Sequence, residues 1–307
     1  MALGRCALTG AFGFTGKYIA RVLLARGAEV VTLTNRPAEE SAFSEPLPTF
    51  PLSFDDPPQL VRSLTGVDVL FNTYWIRFSH KRLTFAKAAE NSKILINCAK
   101  EAGARKVVHI SITNASLTSP LPYFRYKAQV EEHIRASGLP FAIIRPALIF
   151  GEESILINNI AWMLRRFPIF AIPGSGEYRL RPIFVEDLAK LVVAAAEEED
   201  NTEKDAVGPE VFRFRALVEE IARAVGSSAR IVCAPPWVAF ALARGLGVVV
   251  RDVVLTKDEV AGLMQELLMR EGPATGETPF TQWLSENAAH LGVQYFSELK
   301  RHYARRS

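Results

Sequence analysis

The sequence predicts an α/β chain: a doubly wound parallel sheet with a smaller, mostly helical C-terminal lobe. Three observations lead there. Short apolar runs alternate with helix-length patterns through the first half, the rhythm of right-handed crossovers between parallel strands. A glycine turn, Thr9–Gly10–Ala11–Phe12–Gly13–Phe14–Thr15–Gly16, separates the first apolar run from the first helical pattern. Beyond Phe150–Gly151 the texture becomes more helical, broken at Pro173–Gly174–Ser175–Gly176 and at Pro235–Pro236. The expected division is 1–150 and 151–307, with 178–196 returning to the first domain.

Taken in order, Arg5–Leu8 reads as a strand, and Thr15–Arg26 as a helix that Gly27 ends. Glu29–Thr34 is the second strand. The stretch 41–58 carries five prolines and reads as loop with one short strand near Phe50–Phe54. A helical pattern at Pro58–Leu64 precedes a strand at Val67–Phe71. A long helix, about Thr84–Ala102, stops at Gly103. Lys106–Ile110 is a strand, Tyr123–Ser137 a helix ended by Gly138, and Phe141–Arg145 a strand. In the second half, Ile155–Phe167 reads as a helix, Tyr178–Phe184 as a strand and Glu186–Ala196 as a helix. Glu197–Lys204 reads as a charged, solvated run.

The glycine turn has a chemical logic. One glycine allows a sharp exit from the strand, one lets backbone approach a pyrophosphate, and one lets the helix pack closely. The helix N-terminus then offers free N–H groups and partial positive charge to phosphates. Thr9, Gly10, Phe12, Gly13, Phe14, Thr15 and Gly16 are therefore candidate nucleotide-binding residues of a Rossmann domain. A second cluster is Tyr123-Phe124-Arg125-Tyr126-Lys127. Tyr123 and Lys127 stand four apart and share one helix face. A neighbouring ammonium favours the phenolate and lowers a tyrosine's pKa, which suits proton transfer at a substrate hydroxyl or carbonyl.

These motifs in this order resemble the extended or atypical short-chain dehydrogenases/reductases, the NAD-dependent epimerase/dehydratase group. The resemblance runs from about residue 3 to 196. It also rests on Phe141-Ala142-Ile143-Ile144-Arg145-Pro146, on Ile149-Phe150-Gly151 and on Arg181-Pro182-Ile183-Phe184-Val185-Glu186-Asp187. The chain most resembles the atypical branch that includes the accessory subunit of complex I. The resemblance implies a third catalytic hydroxyl just after Lys106–Ile110, where Ser111 and Thr113 both qualify. The gap from there to Tyr123 is shorter than the family's, and Ser111 equally suits strand-end capping. It further implies that Phe54 and Asp55 flank an adenine, that Asn72, Thr73 and Tyr74 line the cofactor, and that Pro146 to Ile149 lie near a nicotinamide. At the end of the second strand stands Thr34-Asn35-Arg36, with no acid for a ribose hydroxyl. Arg36 suits a 2′-phosphate, so NADP(H) is favoured over NAD(H). The expected function is an NAD(P)-dependent oxidoreductase or epimerase/dehydratase-like protein with Tyr123 as acid/base. The alternative is a non-catalytic nucleotide-binding protein with a structural, assembly or redox-sensing role.

Composition bounds the rest. With 36 basic and 33 acidic side chains, net charge +3, nothing points to nucleic acid. Cys6, Cys98 and Cys233 have no metal spacing and imply reduced thiols acting as small core residues, hence a cytoplasmic address. His80, His109, His133, His290 and His302 show no metal spacing either, so no metal is expected, and His109 reads as a packed core residue. No secretory signal pattern opens the chain. Trp237–Val250 is strongly apolar but too short to span a bilayer. It fits a buried helix, or else an amphipathic surface for a membrane or a protein. The expected partner is a small-molecule substrate, and the expected state a monomer or homodimer.

Overall fold

The computed structural model describes residues 3–35 and 42–303. The chain forms two compact units, Met1–Pro146 with Val185–Ala206, and Ala147–Phe184 with Val207–Ser307. The first boundary falls after Pro146 rather than after residue 150. The returning segment is 185–206 rather than 178–196, because a late strand joins the first unit's sheet.

That sheet has seven strands: β1 (Arg5–Thr9), β2 (Glu29–Leu33), β3 (Thr49–Phe50), β4 (Val69–Asn72), β5 (Lys106–Ile110), β6 (Phe141–Pro146) and β11 (Thr202–Ala206). Their order is β11-β6-β5-β4-β1-β2-β3, every pairing parallel. Strands buried on both faces favour the continuous apolar runs seen here. The order reverses between β1 and β4, where Leu8 pairs with Phe71. Such a switch point opens a crevice at the carboxyl ends of the strands.

Helices α2 (Pro57–Leu64), α3 (Phe85–Glu101) and α4 (Pro122–Ala136) cover one sheet face. Leu60, Leu64, Leu95, Ile96, Val130 and Ile134 pack there on Val31, Leu70, Val107 and Ile143. Helices α1 (Phe14–Ala25) and α6 (Val185–Glu197) pack together on the other face.

The charged run Glu197–Lys204 is not simply solvated, which corrects the sequence reading. Its second half enters β11, and its charges are used. Glu203 pairs with Arg135 of α4 and Arg145 of β6. Lys106, wholly buried on β5, donates to the carbonyls of Ala195 at 2.9 Å and Glu198 at 2.5 Å. A cation there suits the negative end of α6.

The second unit is built from two-stranded pairings and helices. β7 (Ile149–Phe150) pairs in parallel with β10 (Ile183–Phe184), and β8 (Ile169–Pro173) with β13 (Arg230–Ala234). β9 (Arg179–Leu180) runs antiparallel to β12 (Phe212–Arg213). Its core joins Phe150 and, on α5 (Ile155–Arg166), Ile160 and Leu164 to Leu217 and Ile221 of α7 (Phe214–Ala224), Leu263 of α9 (Lys257–Met264), and Phe280 and Trp283 of α10 (Phe280–Asn287). Two expectations are corrected here. Helix α8 (Pro236–Val250) is not a buried helix, since Ala239 is its one buried residue. It packs on β8 by one edge and leaves the rest outside. Cys233 is exposed, unlike the buried Cys6 and Cys98, because it lies on a two-stranded ribbon with an open face.

Candidate functional site

The glycine turn forms where β1 ends. Gly10 takes φ +70°, a conformation that suits glycine, and its N–H continues the ladder to Leu33 at 3.0 Å. The Thr32 hydroxyl donates to the Leu8 carbonyl and accepts from the Ala11 N–H, both at 3.1 Å, which fixes the turn. Gly13 is the N-cap of α1, and its N–H donates to the Gly10 carbonyl at 2.8 Å. A Cβ on Gly16 would lie 2.2 Å from the Gly10 carbonyl oxygen, so helix and turn touch through backbone alone. No side chain caps α1 and no acid stands in its first turn. Its leading N–H groups are therefore not claimed by a capping side chain among the described residues, which suits an anion. This cradle fits a pyrophosphate.

Beside it, Thr9 ties β1 to the loop after β4. Its hydroxyl accepts from the N–H groups of Thr73 at 2.8 Å and Tyr74 at 3.1 Å and donates to the Phe71 carbonyl. The Thr73 hydroxyl returns a bond to the Thr9 carbonyl at 2.5 Å. Asn72 is fully buried, and its Oδ1 accepts from the Tyr74 N–H. The Tyr74 ring lies 4.8 Å from that of Phe54, and its hydroxyl accepts from Asn91. Asp55 is exposed next to Asp56, the cap of α2. Phe12 and Phe14 are half-buried and contact Phe43 and Tyr18. The Asn35 amide brackets the backbone of Leu52, at 2.8 and 2.9 Å, and so pins β2 to the segment after β3. Arg36 lies outside the described residues.

The Trp75 ring leads from this loop to the Tyr–Lys pair. The Lys127 ammonium sits 4.4 Å from the centroid of that ring and donates to the Ile110 carbonyl at 2.6 Å. Burial pushes the Lys127 pKa down to about 7, against the opposing pull of Glu131. Tyr123, one turn earlier on α4, packs edge-on against Trp75 and Phe85 at 6.1 and 5.6 Å. Continuous contacts thus join cradle, β4 loop and Tyr–Lys pair along one edge of one sheet. Buried polar atoms without a hydrogen-bond partner among the described residues collect there too, Asn72 Nδ2 and Trp75 Nε1, beside the buried His109, which pairs in register with Asn72. Burial, and then the charge of Lys127, keep His109 far below its ordinary pKa, so its ring is neutral.

The two hydroxyl candidates part company. Ser111 donates to Glu131 at 2.5 Å, and Glu131 is doubly bonded to Arg145 at 2.9 and 2.7 Å. Thr113 is fully buried, and its N–H donates to the carbonyl of Pro146 at the end of β6. Ile149 belongs to the second unit, paired with Ile183. The sequence reading missed Glu131. Its signal was spacing, since Tyr123, Lys127 and Glu131 stand at i, i+4 and i+8 of one helix.

A family model described as NAD(P)H-binding matches residues 10–159. The chain is 26% identical over 223 residues to NADH dehydrogenase [ubiquinone] 1 alpha subcomplex subunit 9, mitochondrial, of Arabidopsis thaliana. That alignment takes in 68% of this chain but 55% of the relative, so the chain spans little more than half of that subunit's length. It is 32% identical over 161 residues to Protein fmp52-1, mitochondrial, of Aspergillus terreus, covering 48% of this chain and 68% of that one. Among solved structures, an NADPH-dependent quinone oxidoreductase of Escherichia coli, complexed with NADPH, superposes with a TM-score of 0.73 at 20% identity. That match covers 93% of this chain and 99% of the other and shows a shared fold.

The cytoplasmic address expected from the thiols is overturned by these relatives, which are mitochondrial by name. Free cysteines report a reducing compartment and do not say which one. The fold, the cradle and the matches agree: this chain belongs to the NAD(P)H-binding, atypical short-chain dehydrogenase/reductase family.

Proposed function

We propose that the chain is an NADP(H)-dependent oxidoreductase in which Tyr123 moves the proton. The observation that carries this reading is the buried Lys127 ammonium on the same helix face as Tyr123, joined through Trp75 to the loop that Thr9 ties to the cradle. When bound, the nicotinamide supplies or accepts hydride. Tyr123 donates its phenolic proton to a substrate carbonyl oxygen during reduction and takes one back from a hydroxyl in the reverse direction. Lys127 favours the phenolate when charged, and its pKa of about 7 lets it exchange a proton near neutrality. Ser111 acts as a positioning residue, since its hydroxyl is committed to Glu131. Thr113 is then the hydroxyl of that loop assigned to the reacting oxygen. The NADP(H) preference rests on Arg36 and on Asn35, whose amide is occupied by Leu52 backbone rather than turned to a ribose. The mitochondrial relatives support a mitochondrial setting.

A second reading, a nucleotide-holding component of a protein assembly, is favoured by the Ser111–Glu131 bond and by the name of the Arabidopsis relative. Fluorescence titration of the full chain with NADPH and NADH, followed by turnover assays on a panel of quinones and carbonyl compounds, separates the two. The first reading expects NADPH to bind at least tenfold tighter than NADH. It also expects Tyr123→Phe to lose roughly 10²-fold or more in turnover with NADPH affinity unchanged. Full activity in Tyr123→Phe refutes the proton-transfer role. Tight NADPH binding with no turnover on any acceptor supports the second reading.

A further inference from the structure

Helix α8 leaves outside what a folded chain ordinarily buries. Trp237 is 73% exposed, Leu242 58%, Val248 76% and Val249 79%. At roughly 100° per residue, Trp237, Ala241, Leu242, Gly245, Val248 and Val249 share an arc of about 140°. The one charge of the helix, Arg244, stands just outside that arc. Val232 on β13 and Ile169 on β8 are exposed as well, and α8 packs on β8.

The face is held rigidly. The Asp252 N–H closes the helix on the Gly247 carbonyl at 3.0 Å, with Arg251 in the left-handed region at φ +55°. The buried Asp252 carboxylate then accepts from the Tyr295 hydroxyl and from the N–H groups of Glu298 and Leu299. A Cβ on Gly247 would meet the Asp252 carbonyl at 2.6 Å, so this ending depends on glycine.

Charge selects the occupant. Between Glu220 and Asp252 the chain has no acidic residue, and Arg230, Arg244 and Arg251 are all exposed. Lys257 reaches over the ring of Phe240 on the same helix. From Pro235 to Val250 there is no Ser, Thr, Asn, Gln or His. A protein interface needs directional hydrogen bonds, about one per 100–200 Å², and from Pro235 to Val250 the only side chain that can make one, besides the Trp237 indole N–H, is Arg244. A second copy would bring arginines against arginines. A bilayer surface needs no directional partner, rewards apolar area, takes Trp at the headgroup level and attracts arginine through anionic lipid. No helix among the described residues is long and apolar enough to cross a membrane. At 1.5 Å per residue α8 measures about 22 Å, short of the ~30 Å hydrocarbon core.

We propose that α8 is a monotopic membrane anchor that lies in the interface of an anionic phospholipid bilayer, with Trp237, Leu242, Val248 and Val249 in the acyl boundary and Arg244 and Arg251 at the phosphates. This assignment stands independently of the nucleotide reading. The test is sedimentation of the full chain with phosphatidylcholine vesicles, with and without phosphatidylglycerol, at low and high salt. Binding is expected with the anionic vesicles, weakened by salt. Val248→Glu with Val249→Glu is expected to lower the partition at least tenfold, and Arg244→Glu several-fold on anionic vesicles alone. Both side chains are exposed, so the double variant keeps the wild-type thermal melt, and an unchanged melt shows that lost binding is not lost folding. Three outcomes overturn the proposal: no sedimentation with either vesicle at low salt, equal partition of wild type and double variant, or a stable dimer that the double variant dissociates while vesicles are ignored.

Discussion

The two units break the same rule in opposite directions. In the first, polar groups are drawn inward: Lys106, His109, Lys127 and Glu131 are nearly or wholly buried. In the second, apolar groups are left outside along α8. The inward charges are matched by partners that the topology brings to them. Lys106 meets the carbonyl end of α6, Lys127 meets the Ile110 carbonyl and the Trp75 ring, and Glu131 meets Ser111 and Arg145. Among the described residues of their own unit, the outward apolar side chains of α8 stay uncovered. A buried charge with a full shell belongs to the fold or to a proton-handling site, whereas an uncovered apolar face belongs to something outside the chain.

The contrast can be broken at three points. The largest effect is expected from Glu131→Leu, which leaves Arg145 with Glu203 as its remaining carboxylate and leaves the Ser111 hydroxyl without its acceptor. It should cost about 3 kcal/mol or more in urea unfolding; a loss under about 1 kcal/mol would mean that the charges of the first unit are not interdependent. Next is Gly16→Ala. Its new methyl must displace the Gly10 carbonyl, which should cost about 2 kcal/mol and abolish detectable NADPH binding by calorimetry. Wild-type affinity in that variant would remove the cradle from the site.

The smallest effect is a pH slope. Lys127 has a pKa of about 7 in the folded chain and an ordinary value of 10.5 when unfolded. Between those values the unfolded chain holds the extra proton. This group therefore makes stability rise with pH, by at most about 1.4 kcal/mol per unit, and its slope fades as pH falls through 7. Lys127→Met should flatten the stability profile between pH 7 and 9. An unchanged slope would show that Lys127 is not desolvated.

Much of the first unit was legible in the sequence because its signals are local. The glycine spacing, the alternation of strand and helix, and the i, i+4 relation of Tyr123 to Lys127 all act over a few residues. Contacts that depend on the fold were less legible. Ser111 could be placed at a strand end, but its bond to a carboxylate twenty residues later required α4 to lie on β5. Glu197–Lys204 looked solvated because charge suggests water, yet β6 offered an edge and Arg145 a partner. Trp237–Val250 looked buried because apolar residues usually are, and no local signal shows which face lacks a cover.

The sequence by itself determined the parallel sheet, the glycine cradle and the Tyr–Lys pair, because glycine conformation and helical periodicity are properties of short segments. Tertiary structure decided the fate of each charge and of each apolar face: Ser111 turned to Glu131, Lys127 shielded by Trp75, α8 left uncovered. Burial is a sum over neighbours distant in the chain, so it exists only once those neighbours have been brought together.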